Sequence, residues 1–163
     1  DDKIRVCTKE DASVLARTIR ESFQDVAKRF SLTPENAPSH PSHCTVEWIQ
    51  KDMARGVDYW IIENESRVAG CVAMERANTQ MCYLERLAVL PDQRRQGLGS
   101  ALVAHVLSQA GLLGAHHVSI GIIAAHTELK AWYKRIGFME GESREYPQLP
   151  FRVTFMSYRI YNN

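Results

Sequence analysis

The sequence predicts an α/β domain built on one mixed sheet, with helices on both of its faces. Three observations predict it. Strand-like segments come first, helix and strand then alternate, and a terminal hairpin closes the chain. An apolar strand ending Leu87-Ala88-Val89 runs through a glycine-bearing turn into a helix. The chain has 163 residues, a length for one domain spanning 1–163, with no repeat, low-complexity tract or linker to divide it.

Composition narrows the partners. Apolar residues make up 45% and charged residues 24%, ordinary for a folded domain with a real core. The formal net charge of +1 gives no global field for nucleic acid or an anionic membrane, and neither is an expected partner. No apolar run has bilayer length and no secretory leader is visible, so the expected location is cytoplasmic. Cys7, Cys44, Cys71 and Cys82 form no C-x-x-C pair. Cys71 and Cys82 are expected to face each other on adjacent strands as reduced, half-buried thiols.

The elements follow in order. Residues 4–7 read as a short strand, and Thr8-Lys9-Glu10-Asp11 as a capping-box variant opening a helix. That helix carries Ala12, Leu15, Ile19, Phe23 and Val26 at helical spacing. Residues 31–44, with Pro34, Pro38 and Pro41 and no apolar period, read as a loop too polar to be core. Thr45 caps a second helix holding Val46, Ile49 and Met53 and stopped by Gly56. Residues 58–63 and 67–75 make a hairpin around Asn64-Glu65-Ser66. Residues 81–89 form the next strand, 97–110 a helix ended by Gly111 and Gly114, and 117–121 a buried strand. A short helix over 127–135 ends at Gly137, and segments 138–142 and 151–160 close the sheet.

The turn Arg94-Arg95-Gln96-Gly97-Leu98-Gly99-Ser100 carries the chemistry. A glycine-rich turn at a helix N-terminus leaves backbone N–H groups unpaired at the positive end of the helix dipole, which suits phosphate. A P-loop is excluded, because Gly99 is followed by Ser100-Ala101 without a lysine. A dinucleotide fingerprint fits poorly. The third glycine is missing, and the place for its ribose-binding acid holds Val118, Ser119, Ile120 and Gly121.

The third pattern fits. Arg94-x-x-Gly97-x-Gly99 after Leu87-Ala88-Val89 resembles the acetyl-CoA signature of the GNAT superfamily of N-acetyltransferases. The block Ala131-Trp132-Tyr133-Lys134-Arg135-Ile136-Gly137-Phe138 is similar to a second segment of that family, in the right order and at the right spacing. The resemblance runs over residues 4–160 and is specific in these two blocks. It implies a mostly antiparallel sheet with one splayed parallel strand pair, and acetyl-CoA lying between those two strands. Pantetheine would meet the backbone of Leu87, Ala88 and Val89 as an added strand would. The pyrophosphate would rest on Arg94, Arg95, Gln96, Gly97, Leu98, Gly99 and Ser100. Where family members commonly carry asparagine, this chain has His126, whose imidazole offers one hydrogen bond of a different shape.

The implied activity is transfer of acetyl to a primary amine by direct attack in a ternary complex; the alternative is a domain that senses acyl-CoA without turnover. Tyr133, beside the thioester and among the cofactor contacts, would give the departing thiolate a proton. A lysine-like amine has a pKa of about 10.4, so only roughly 1 in 2,500 molecules is neutral at pH 7 and a base is needed. Glu85 is the first candidate, with the same facing as Leu87 and Val89. Glu75 is the second, and Tyr83 could hold a relay water. Cys82 has no histidine beside it and is not read as a nucleophile. His40, His43 and Cys44 lack a second ligand pair, so no metal is expected. The expected partner is a small-molecule or peptide amine bordered by the 31–44 loop, and a homodimer is an admissible assembly.

Overall fold

Strict alternation of large apolar side chains along a strand means a sheet buried on both sides. Strand β2 (Asp58–Asn64) shows it: Tyr59 and Ile61 enter one core, Trp60 and Ile62 the other. In the computed structural model, which describes residues 3–160, β2 is the second strand of a seven-stranded sheet. Its companions are β1 (Lys3–Val6), β3 (Arg67–Arg76), β4 (Met81–Val89), β5 (His117–Ile123), β6 (Met139–Arg144) and β7 (Val153–Arg159). Their order is β1-β2-β3-β4-β5-β7-β6. Residues 1–2 and 161–163, part of the single-domain expectation, lie outside the described residues.

Helices α1 (Ala12–Ser22) and α3 (Val46–Ala54) cover one face, burying Leu15, Ile19 and Ile49 against Tyr59, Ile61 and Ala73. On the other face, α4 (Leu98–Leu112) and α5 (Thr127–Ile136) bury Leu102, Val106 and Tyr133 against Val72, Leu84 and Val118. Thr45 caps α3, its hydroxyl accepting from the Trp48 amide at 3.3 Å. No helix among the described residues is long and apolar enough to cross a membrane.

Every strand pair is antiparallel except β4–β5, among the described residues. That pair is short: Met81↔His117, Cys82↔Val118 and Tyr83↔Ser119, and no further. Beyond Tyr83, β4 stays on β3 to Val89 while β5 stays on β7 to Ile123. The two strands therefore part, leaving one edge of each unpaired over the gap.

Several expectations are corrected. The single helix through Val26 is broken at Phe23, whose ring packs edge-on against His40, and α2 (Gln24–Arg29) starts anew. Helix α4 runs through Gly111 to Leu112, since one interior glycine costs only about 1 kcal/mol. The 31–44 segment is partly core: Leu32, Ala37, His40, Ser42 and Cys44 are buried, and a 3-10 turn spans Pro41–His43. Cys71 and Cys82 do not face each other. Cys71 pairs with Ala88 and Cys82 with Arg76, and their side chains enter opposite cores. Burial pushes the thiols of Cys44, Cys71 and Cys82 up, and the half-buried Cys7 up to about 12.

Candidate active site

The site begins with an irregularity in β4. Glu85 pairs with Ala73 and Ala88 with Cys71, so Arg86 and Leu87 together stand opposite Val72. This is a β-bulge, and Arg86 within it takes a left-handed φ of 51°. The extra residue shifts the alternation by one. Glu85 shares the α1–α3 face with Ala73, whereas Leu87 and Val89 turn to the α4–α5 face. The expectation that Glu85 faces with Leu87 and Val89 is thus overturned, while Tyr83 does share its face.

Two adjoining cavities occupy the gap between β4 and β5. The first, about 560 Å³, is lined by Leu87, Ala88, Val89, Arg94, Arg95, Gly97, Leu98, Gly99, Ser100 and His126. The second, about 430 Å³, is lined by Glu85, Arg86, Leu87, His126 and Tyr133, with Ser39, His40 and Pro41 from the 31–44 segment. Phe23, Val26, Leu87, His126 and Leu129 belong to both, so the two make one groove.

At one end lies the N-terminus of α4. Gly97 has φ 80°, which suits glycine, and the first intrahelical bond runs from the Ala101 amide to the Gly97 carbonyl at 3.0 Å. The amides of Leu98, Gly99 and Ser100 precede that bond and are left as donors. A Cβ on Gly99 would lie 3.3 Å from the Trp132 ring, so this glycine also lets α4 approach α5.

The two arginines differ. Arg95 is exposed at the cavity wall. Arg94 is held by Asp25 at 2.7 Å, the Ser22 carbonyl at 2.6 Å and the Val89 carbonyl at 3.1 Å. The Gln96 side chain accepts from Asn64 at 3.1 Å and does not line the cavity. His126 caps α5, its Nδ1 accepting from the Leu129 amide at 3.4 Å, and desolvation lowers its pKa.

At the other end stand Glu85 and Tyr133. Tyr133 is buried edge-on against Trp132 and Phe138, and desolvation raises its phenol, so it stays protonated. Desolvation also pushes Glu85 up to about 7, helped by the neighbouring Glu75 carboxylate and opposed by Arg86. Glu75 is itself ion-paired to Arg55. Asp52, buried behind them, accepts from Tyr59 at 2.5 Å and from Arg55 at 2.9 Å.

The structure thus gathers Glu85, Leu87, Ala88, Val89, Arg94, Arg95, Gly97, Leu98, Gly99, Ser100, His126 and Tyr133 along one groove, and turns the Gln96 side chain away. Sequence reasoning passed over Phe23, Val26, Trp132 and Arg86. The first two read as an ordinary core stripe, and Arg86 is placed only by the bulge.

Residues 20–138 match the family described as Acetyltransferase (GNAT) family. The chain is 26% identical over 138 residues to the uncharacterized N-acetyltransferase YjgM of Escherichia coli (strain K12), covering 83% of this chain and 80% of that protein. Its fold is similar to the ribosomal-protein-S18-alanine N-acetyltransferase of Escherichia coli, with a TM-score of 0.79 at 16% identity over 100% of this chain and 96% of that one. It is similar also to yncA of Salmonella typhimurium, solved with its cofactor acetyl-CoA, with a TM-score of 0.72 at 16% identity over 100% and 96%.

Proposed function

The chain belongs to the acetyltransferase (GNAT) family and is an acyltransferase, and on that premise we propose that it moves acetyl from acetyl-CoA to a primary amine by direct attack in a ternary complex. One observation carries this reading: a single groove runs from the unpaired amides of α4, past the open edge of β4, to a carboxyl and a phenol at its far end. The residues present fit acetyl-CoA. The α4 amides and Arg95 suit its phosphates, and the edge of β4 at Leu87–Ala88, which β5 leaves uncovered, suits the amides of its arm. Acetyl-CoA supplies an activated thioester.

The remaining work falls to the protein. Glu85 takes a proton from the incoming ammonium, directly or through a water beside Tyr83. The freed nitrogen forms its bond to the acyl carbon while the carbon–sulfur bond breaks. Tyr133 gives its proton to the departing sulfur and regains one as the nitrogen sheds its surplus proton. The products are an acetamide and coenzyme A. Ser39, His40 and Pro41 wall the same end, which supports the reading of the 31–44 segment as part of the acceptor side.

Continuous measurement of thiol release from acetyl-CoA with a panel of amines tests the proposal. Release that depends on both substrates is expected. Binding of acetyl-CoA with no release to any amine would overturn it.

A further inference from the structure

We propose that the acceptor is an α-amino acid with an apolar side chain, its carboxylate held by Arg86 while its amine meets Glu85. The inference rests on the reading of the Glu85 end of the groove as the acceptor site.

The bulge in β4 gives this end its character. In a regular strand Glu85 and Arg86 would point to opposite faces. Here both turn toward the α1–α3 face: Glu85 lies beside Ala73, and Arg86 reaches Asp52, Cys44 and Trp48. Both line the second cavity. Its other titratable walls carry no charge near neutrality. Burial lowers His40 to about 4, His126 is lowered, and the Tyr133 phenol is raised. Glu85 and Arg86 are therefore the charge-bearing pair of a cavity otherwise walled by groups such as Phe23, Leu84, Leu149 and Phe151.

The Arg86 guanidinium has capacity to spare. Its side chain is 18% exposed, and it stands 3.5 Å from Asp52, beyond the range of a strong charge-assisted bond. Asp52 is already satisfied by Tyr59 and Arg55 at shorter range. One amino group of Arg86 meets the Cys44 sulfur at 3.4 Å, a weak acceptor, and Nε has no partner among the described residues. A guanidinium with five donors, half-buried and so thinly engaged, is matched by a carboxylate.

Adjacency then sets the chemistry of the ligand. The pair that would receive amine and carboxylate comes from consecutive residues lining one cavity, which suits two groups borne on the single α-carbon of an α-amino acid. A zwitterion also enters without adding net charge to the cluster of Asp52, Glu75, Glu85, Arg55 and Arg86. The apolar walls accommodate an apolar side chain.

The test compares L-leucine, L-methionine and L-phenylalanine with their carboxamides and with isoamylamine, by thiol release from acetyl-CoA. The acids are expected to have KM values at least ten-fold below those of the carboxamides. Arg86→Lys, with fold checked by circular dichroism and acetyl-CoA affinity by calorimetry, is expected to raise KM for the acids about ten-fold. It should leave kcat for the acids, and KM for the carboxamides, within a few-fold. A purely structural role for Arg86 would move acids and carboxamides together, and that result overturns the inference. So does acetylation of the carboxamides or isoamylamine with efficiency equal to that of the acids, which would leave the N-acetyltransferase reading standing. No release to any of these amines would overturn this inference alone; binding of acetyl-CoA with no release to any amine of the wider panel would remove the N-acetyltransferase reading as well. Should Arg86→Lys fail to fold, the preference of the unaltered protein decides.

Discussion

Tyr133 and Glu85 are both shaped by desolvation, with opposite uses. Loss of water keeps the Tyr133 phenol protonated and ready to donate. The same effect makes Glu85 basic enough to accept a proton near neutrality. Tyr133→Phe keeps the ring contacts with Trp132 and Phe138 and removes the proton. It is expected to lower kcat on the order of 10²-fold with acetyl-CoA affinity unchanged, read by steady-state kinetics and calorimetry. As the proposed base Glu85 must be ionised, so kcat/KM is expected to rise with pH and level off above an inflection near 7, the value its surroundings impose. Glu85→Gln should lower the plateau and abolish that inflection. The sign for stability is the reverse. A carboxyl raised from 4.5 to about 7 makes the folded state the better proton binder, so its contribution is full below pH 4.5 and is lost as pH rises through 7. Thermal melts of Glu85→Gln should therefore gain on the unaltered protein at pH 8 relative to pH 4.5.

Helix α4 and strand β4 show what a sequence displays and what it conceals. The glycine turn was legible because its residue types stand at fixed spacing along the chain, immediately ahead of α4. Ser100, exposed in the first turn of α4, gives its test. Ser100→Glu places a carboxylate where the helix dipole welcomes it but a phosphate would not. The helix should persist and the Kd for acetyl-CoA rise at least ten-fold by calorimetry; unchanged affinity would detach α4 from the cofactor. Gly99→Leu is a poorer probe, since Trp132 already stands 3.3 Å from where a Cβ would go. The bulge was not legible. Nothing in Tyr83-Leu84-Glu85-Arg86-Leu87 announces that two residues will stand against Val72, because that count is set by β3 across the sheet. Simple alternation accordingly put Glu85 on the wrong face. The 31–44 segment misled for a related reason: prolines and polar residues mark a loop, but Leu32, Ala37 and Cys44 are buried by elements distant in sequence.

Across the whole molecule, two ion pairs bridge the groove. Asp25 of α2 holds Arg94 in the turn before α4, and Arg29 at the other end of α2 holds Glu128 of α5. These contacts join residues far apart in the chain, and sequence pattern carries no trace of them. Fold class, by contrast, was readable throughout, since apolar periodicity repeats in every element. The Arg94 pair is partly exposed, so its loss should cost no more than about 1 kcal/mol. Asp25→Asn should leave stability nearly intact in urea titrations and, by freeing Arg94 for phosphate, tighten acetyl-CoA a few-fold in calorimetry. The cysteines have a practical consequence. With Cys44, Cys71 and Cys82 sealed in the interior and Cys7 held protonated, the protein offers almost no thiolate of its own. A chromogenic disulfide can stay in the cuvette throughout turnover, and the colour that develops counts coenzyme A against a nearly flat blank.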